Sequence, residues 1–233
     1  SNVTGTKMPL REIGEIAAKR GIAFMVDGAQ GAGTMDLDVE KLKIDMLALP
    51  GHKGLLGPLG TGLLYASPYI RLKPTQQGGT GTESKSRLQP EEFPEGFEAG
   101  TINAPAIIGL GYSAGFISKI GLDVISNYEE ELIRQLDENL SNMEFVKLYG
   151  PKPSKKTGIS LINIEGMEAE DVTSLLNSRY GIAVRGGYHC AGLAHKTVGT
   201  WDTGGIRISV GPFNSKREIE KLTDAIWEIG KGR

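Results

Sequence analysis

Residues 46–58, MLALPGHKGLLGP, decide the fold, because an apolar run there leads directly into a glycine-rich loop that carries a lysine. Residues 46–49 have the length and composition of a buried strand, which places Lys53 just beyond the carboxyl end of that strand. Ligands of open α/β sheets bind at this edge. Most lysines are solvated, so Lys53 taken alone is more simply explained as a surface loop residue.

Apolar runs on either side of this stretch are predicted to be strands. Residues 22–26 end abruptly at Asp27, and residues 62–65 follow the glycine-rich loop. Helices are predicted over residues 7–20 and, as a short segment, over 39–42. Short strands alternating with helices favour an α/β layered domain.

The second half of the chain follows a polar segment at 76–100, which is predicted to be mostly loop. Apolar spacing predicts helices over 105–120, 122–142 and 169–180, strands over 158–164, 182–185 and 205–210, and a last helix capped by Ser215. We therefore expect a large α/β domain over residues 1–114 and a smaller α+β domain over 115–233.

Composition argues against several classes of function. The net charge of −2 gives no basis for binding nucleic acid. No apolar run approaches the roughly 18 residues that a membrane span needs, and no secretory signal is visible. The single cysteine excludes an internal disulfide framework. With His52, His189 and His195 it shows no zinc-ligand spacing, so no metal site is predicted.

Asp27 and Lys53 each follow a predicted strand and are expected at one sheet edge. The neighbouring glycines match neither a dinucleotide fingerprint nor a P-loop, in which the lysine follows the glycines. A pyridoxal 5'-phosphate site uses a lysine that forms a Schiff base and an acid that faces the pyridinium nitrogen. The pair indicates such a site, although Asp27 alone is equally well explained as a helix cap.

Motifs along the chain resemble the class V aminotransferase superfamily, and within it the cysteine desulfurases of the SUF-type and selenocysteine lyase-like branch. In chain order these motifs are VDGAQ at 26–30, GHK at 51–53, GPLGTG at 57–62, FEAGTIN at 97–103, RGGYHC at 185–190 and GIRIS at 205–209. The resemblance implies the aspartate aminotransferase-like fold (fold type I). Residues 1–114 would then be the C-terminal portion of the large domain that binds pyridoxal phosphate.

The resemblance also implies roles around the cofactor. Lys53 would carry pyridoxal phosphate and move a proton at the substrate α-carbon, and Asp27 would pair with the pyridinium nitrogen. The other implied contacts are Gln30 and Asn2 at the ring hydroxyl, Ala29 on a ring face, His52 at the phosphate, and Gly79 and Thr80, which would reach the phosphate from the partner of a homodimer.

Cys190 is the second catalytic residue that the resemblance implies, taking sulfur from L-cysteine to leave L-alanine and a persulfide. A lone cysteine is often a buried small hydrophobe. The polar loop and the nearby Arg185 instead favour an exposed, reactive thiol. Arg207 would bind the substrate carboxylate through its bidentate fork, together with Asn2 and Arg185. His195 is predicted to be a loop residue and not a catalytic one, with a role in positioning the substrate as the alternative.

The chain departs from the family pattern at Pro50, where relatives often carry a hydroxyl, and at Tyr188, where they often carry histidine. The resemblance begins inside the large domain, so we expect a C-terminal fragment of a longer enzyme. Alternatives are a selenocysteine lyase, a class V aminotransferase, or an inactive fragment that serves as a dimerisation or scaffold module.

Partners follow only from the resemblance. They are a small amino-acid substrate (cysteine or selenocysteine), a second copy in a homodimer, and a sulfur-acceptor protein of iron–sulfur cluster assembly. A thiol that must stay reduced favours a cytoplasmic location.

Overall fold

The computed structural model describes residues 1–82 and 85–232. Its contacts divide the chain into two compact units. The C-terminal unit comprises Ser1–Leu10, Gln30–Leu37 and the described residues from Ser118 onward, and the Lys53 unit comprises Arg11–Ala29 and Asp38–Ile117. The domain boundary expected after residue 114 stays a prediction.

The Lys53 unit contains a three-stranded sheet of mixed direction. Strand β1 (Met25–Asp27) runs parallel to β2 (Met46–Pro50), which pairs antiparallel with β3 (Gly62–Ala66). All three predicted strands are therefore present. Helices α1 (Leu10–Lys19) and α2 (Ala104–Ile120) belong largely to this unit.

Two helix predictions in this region are wrong in part. Residues 39–43 form turns, not a helix, because the Asp38 carboxylate accepts hydrogen bonds from the amides of Glu40 and Lys41. Four residues also give too few hydrogen bonds to offset the cost of helix nucleation. Helix α1 begins at Leu10, not at residue 7, because the amide of Lys7 donates to the carbonyl of Lys155 at 2.9 Å.

The C-terminal unit is an antiparallel sheet with helices packed on it, which agrees with the α+β expectation. The sheet order is β4 (Val146–Tyr149), β5 (Ile159–Ile164) and β6 (Ile206–Ser209). The helices are α3 (Leu122–Ser141), α4 (Ala169–Tyr180), α5 (Gly192–Val198) and α6 (Lys216–Lys231). Aliphatic side chains of α3, α4, α6 and the sheet form one buried core.

The strand predicted over 182–185 is wrong, since only Arg185 pairs with the sheet, through an isolated bridge to Arg207. Strand β4 and helix α5 were not predicted. Short 3-10 turns span Glu95–Phe97 and Pro153–Lys155. Residues 83 and 84 of the predicted 76–100 loop lie outside the described residues.

Across residues 1–82 and 85–232, no single helix has the length and apolar character to cross a bilayer, although α2 and α3 together meet those criteria as a bent pair.

Candidate active site

Asp27 and Lys53 lie at the same edge of the Lys53 unit. Asp27 is the last residue of β1 and aligns with Ala48 of the parallel strand β2, and Lys53 follows the end of β2 by three residues. Both side chains are exposed. The Asp27 Oδ1 accepts a hydrogen bond from the amide of Ala29 at 2.9 Å, which orients the carboxylate.

The loop that carries Lys53 is tightly folded. The amide of Gly57 donates to the carbonyl of Gly51 at 2.7 Å, and the amide of Leu56 donates to the carbonyl of Lys53 at 2.8 Å. A Cβ on Gly57 would lie 2.6 Å from Leu110 of α2 and 2.9 Å from the Gly51 carbonyl oxygen. Only glycine fits at position 57, so the glycine-rich motif has a packing reason as well as a functional interpretation.

The other residues predicted to contact the cofactor are divided between the two units. His52 is exposed beside Lys53, and Ala29 is half-buried after β1. Gln30 belongs to the C-terminal unit, where its carbonyl lies 3.4 Å from the Thr34 hydroxyl.

Gly79 and Thr80 lie in a loop of the Lys53 unit. The Gly79 carbonyl accepts from the amide of Gly100 at 2.7 Å, and the Thr80 hydroxyl lies 3.0 Å from that of Thr82. These contacts order the loop locally, and the phosphate role of both residues stays a prediction.

Cys190 and Arg185 are in contact in the C-terminal unit. The Arg185 Nη2 lies 3.8 Å from the Cys190 Sγ, within hydrogen-bonding distance for sulfur, and both side chains are exposed. The backbone of Arg185 forms two hydrogen bonds with that of Arg207, at 2.8 and 3.1 Å, which brings a second arginine to the same place. An accessible thiol beside guanidinium groups is the setting of reactive cysteines.

Arg207 and Asn2 connect the start of the chain to this cluster. The Arg207 Nη1 donates to the carbonyl of Asn2 at 3.0 Å, and the Asn2 side-chain amide donates to the carbonyl of His189 at 2.8 Å. The buried Arg207 Nε has no hydrogen-bond partner among the described residues. Burial and the charge of Arg185 lower the pKa of Arg207, while Cys190 raises it.

His195 is a buried residue of α5, so its prediction as a loop residue is wrong. Its ring is fully buried and bonds through Nδ1 to the Thr200 hydroxyl at 2.8 Å and through Nε2 to His189 Nδ1 at 3.1 Å. Burial lowers the pKa of both histidines. Sequence reasoning missed Thr200, because its importance depends on α5, a helix of seven residues.

The described ranges 1–82 and 85–232 contain no group of three or more His, Cys, Asp or Glu residues placed to hold a metal ion.

Comparison with known proteins places the chain in a family. The sequence profile described as Aminotransferase class-V matches residues 1–222. The chain belongs to the class V aminotransferase family. This result confirms the resemblance that the six motifs indicated.

Relatives of the chain within this family are named as cysteine desulfurases. The chain is 39% identical to a probable cysteine desulfurase of Methanothermobacter thermautotrophicus over 98% of its own length and 58% of the relative's. An apo structure of a cysteine desulfurase from Thermococcus onnurineus NA1 matches all of the chain and 58% of its own, with a TM-score of 0.93 and 36% identity. The cysteine desulfurase CsdA (S-sulfonic acid) from Escherichia coli matches 98% of the chain and 56% of its own, with a TM-score of 0.88 and 29% identity.

These similarities confirm the predicted α/β fold class. The chain spans less than three fifths of the length of each of these relatives. The activity, substrates and partners of the whole protein are therefore matters of proposal.

Proposed function

We propose that the protein is a cysteine desulfurase that depends on pyridoxal 5'-phosphate. The observation that carries the proposal is the exposed thiol of Cys190 in contact with Arg185. Transfer of an amino group needs no thiol, whereas transfer of sulfur needs a nucleophile that can accept it. The similarity to proteins named cysteine desulfurase supports the same conclusion.

The residues of the Lys53 unit fit the cofactor chemically. Lys53 supplies an exposed amine for the aldehyde of the cofactor, and Asp27 supplies an oriented carboxylate for the ring nitrogen at the same sheet edge. When bound, pyridoxal phosphate withdraws electrons from the substrate α-carbon. Ala29, Gln30, His52, Asn2, Gly79 and Thr80 are the further proposed contacts to the ring and phosphate.

Side chains of the protein carry out substrate binding, proton movement and sulfur transfer. Arg207, with an unpaired buried Nε among the described residues, binds the substrate carboxylate, assisted by Asn2 and Arg185. Lys53 moves the proton at the substrate α-carbon. The Cys190 thiolate attacks the substrate sulfur, so that an S–S bond forms while the C–S bond breaks. The electron pair of the broken C–S bond is left on the substrate β-carbon. Protonation of that carbon completes L-alanine, and the sulfur remains on Cys190 as a persulfide.

Other candidate functions share part of this machinery. A selenocysteine lyase would use the same residues on a selenium substrate, whereas a class V aminotransferase would leave the Cys190–Arg185 contact without a purpose. An inactive dimerisation or scaffold module would use neither Lys53 nor Cys190. The homodimer, the sulfur-acceptor protein and the cytoplasmic location stay predictions.

One experiment separates these functions. The purified protein is mixed with pyridoxal phosphate, L-cysteine and a thiol reductant that releases the persulfide sulfur as sulfide. The visible absorption of bound cofactor and the amounts of alanine and sulfide are measured. We expect a visible band that Lys53→Ala abolishes, and alanine formation that Cys190→Ala abolishes while the band is retained. Full alanine formation by Cys190→Ala would exclude sulfur transfer to this thiol. A protein that binds no cofactor at all would support the scaffold module.

A further inference from the structure

The turn that carries Cys190 has an unusual backbone conformation. His189 and Cys190 have φ angles of 54° and 59°, so two consecutive residues other than glycine are left-handed. This conformation is strained for residues other than glycine, and it persists only where surrounding contacts enforce it. The contacts that hold this turn therefore determine where the Cys190 thiol lies.

The ring of His189 is held at both nitrogens. Its Nε2 lies 3.0 Å from the carbonyl of Arg185, and its Nδ1 lies 3.1 Å from His195 Nε2. A carbonyl oxygen only accepts, so His189 Nε2 must carry the proton. Burial and the charges of Arg207 and Arg185 lower the pKa of His189, which favours the neutral ring, although its hydrogen bond to the Arg185 carbonyl opposes this effect.

The position of that proton sets the donor and the acceptor in each hydrogen bond that links Thr200, His195 and His189. The neutral His189 must accept at Nδ1, so His195 donates from Nε2. Burial lowers the pKa of His195 as well. Its neutral ring must then accept at Nδ1, and the Thr200 hydroxyl donates to it. The proton order from Thr200 through His195 and His189 to the Arg185 carbonyl is thereby fixed.

Thr200 is itself held by α5. Its amide donates to the carbonyl of His195 at 2.9 Å while its hydroxyl, fully buried, faces the His195 ring. On the other side of the turn, the Asn2 side chain donates to the His189 carbonyl. The turn is thus held from two sides, by the hydrogen bonds of His189 and by the Asn2 side chain. The same series of hydrogen bonds, from Thr200 through His195 and His189, ends on the carbonyl of Arg185.

We propose that His195 and Thr200 are positioning residues for sulfur transfer, holding the His189–Cys190 turn so that the Cys190 thiol stays beside the Arg185 guanidinium. The inference rests on the proposed function, since it assigns a purpose to the position of that thiol. Among the described residues no hydrogen bond joins His195 or Thr200 to Cys190, so both act through His189 and the Arg185 backbone.

The test compares how fast a charged and a neutral reagent alkylate the Cys190 thiol, which reports the charge around that thiol. Iodoacetate carries a carboxylate, which nearby guanidinium groups attract, whereas iodoacetamide is neutral. We compare the rates at which the two reagents alkylate Cys190 at fixed pH, with the site confirmed by peptide mass spectrometry. The parent protein should favour iodoacetate more than free cysteine does, and added salt should weaken that preference.

Thr200→Val removes the hydroxyl with little change in shape and should lower the iodoacetate preference by about fivefold, the upper range for a near-surface charge contact. His195→Leu should lower it at least as far. Thr200→Ser restores the hydroxyl, and His195→Gln retains a donor for His189, so both should stay within about twofold of the parent. Thr197→Val is the matched control, because among the described residues the Thr197 hydroxyl bonds only the Leu193 carbonyl of its own helix.

An unchanged preference in folded Thr200→Val would overturn the inference, even if the variant melts at a lower temperature. An equal loss in Thr197→Val, or a parent that shows no preference, would also overturn it. If His195→Leu does not fold, the comparison of Thr200→Val with Thr200→Ser decides the question. Alkylation needs neither cofactor nor sulfur transfer, so an inactive protein with the expected preferences would reject only the proposed function.

Discussion

Arg185 and Cys190 are five positions apart in the sequence, and the fold brings their side chains to 3.8 Å. The sequence predicted an arginine near an exposed thiol, because both residues lie in one polar loop. It did not predict that His195 is buried. The burial of His195 depends on its hydrogen bond to Thr200 and its packing on His189. The spacing of residues in the sequence does not predict either contact.

The burial of Lys156, a charged residue, was likewise not predictable from the sequence. Its ammonium is almost fully buried, lies 2.5 Å from Asp137 and 3.0 Å from the Ser160 hydroxyl, and Ser160 in turn donates to Asp137. Composition favours a surface position for any lysine. Only the tertiary placement of the Asp137 carboxylate makes the burial of Lys156 tolerable.

Removing the charge of Asp137 should therefore be costly. Asp137→Asn leaves the Lys156 ammonium buried without its counter-ion, and we expect a loss of about 3 kcal/mol or more in the free energy of unfolding. Urea denaturation measures the loss. The control is the double variant Asp137→Leu with Lys156→Met, which should recover most of the stability because no buried charge remains. A single variant as stable as the parent would contradict the importance of the pair.

Among the secondary-structure elements, long periodic segments were predicted best. Helix α4 (Ala169–Tyr180) has the predicted bounds, and α3 differs by one residue at its end. Strand β4 (Val146–Tyr149) was missed, since it has only four residues and its burial pattern, with Lys147 exposed and the other three half-buried, does not alternate. Short elements depend on partners distant in sequence, and local patterns do not identify those partners.

The start of α6 was predicted from Ser215 alone, and the structure shows a complete capping box there. The Ser215 hydroxyl accepts from the amide of Glu218, and the Glu218 carboxylate accepts from the amide of Ser215 at 2.7 Å. Ser215→Ala should lower the free energy of unfolding by about 1 kcal/mol, because it leaves one helix amide without its acceptor. Thermal unfolding followed by circular dichroism checks this value. Ser215→Thr, which keeps the hydroxyl, should lose much less, and equal losses would show that the cap contributes little.

At the scale of the whole molecule, the order of motifs predicted the family, but the contacts between distant motifs were not predictable. Asn2 bonds the carbonyl of His189, 187 positions away, and Thr6 forms an isolated bridge with Lys156. Both contacts hold the first residues of the chain within the C-terminal unit. No periodicity links such segments, because their pairing results from packing of the complete unit.

The stability of the molecule should also depend on pH through Glu129 of α3. Its side chain is buried, and burial raises its pKa from 4.5 to about 7, while Lys7 opposes the shift. In the unfolded chain this carboxyl group ionises near pH 4.5, so between that pH and about 7 the unfolded state binds fewer protons than the folded state. Stability from this group is full below pH 4.5 and is lost as pH rises through 7, by about 3 kcal/mol in total.

Glu129→Gln keeps the shape of the side chain and removes its titration. We expect the variant to match the parent near pH 4.5 and to exceed it by about 3 kcal/mol at pH 8, measured as the difference between their urea unfolding curves. Glu138→Gln is the control, because Glu138 lies on the same helix with an exposed side chain that pairs with Arg134. Its stability should follow that of the parent at both pH values, within about 0.5 kcal/mol. If Glu129→Gln gained no stability between pH 4.5 and 8, the Glu129 carboxylate would have to be solvated or paired in the folded protein.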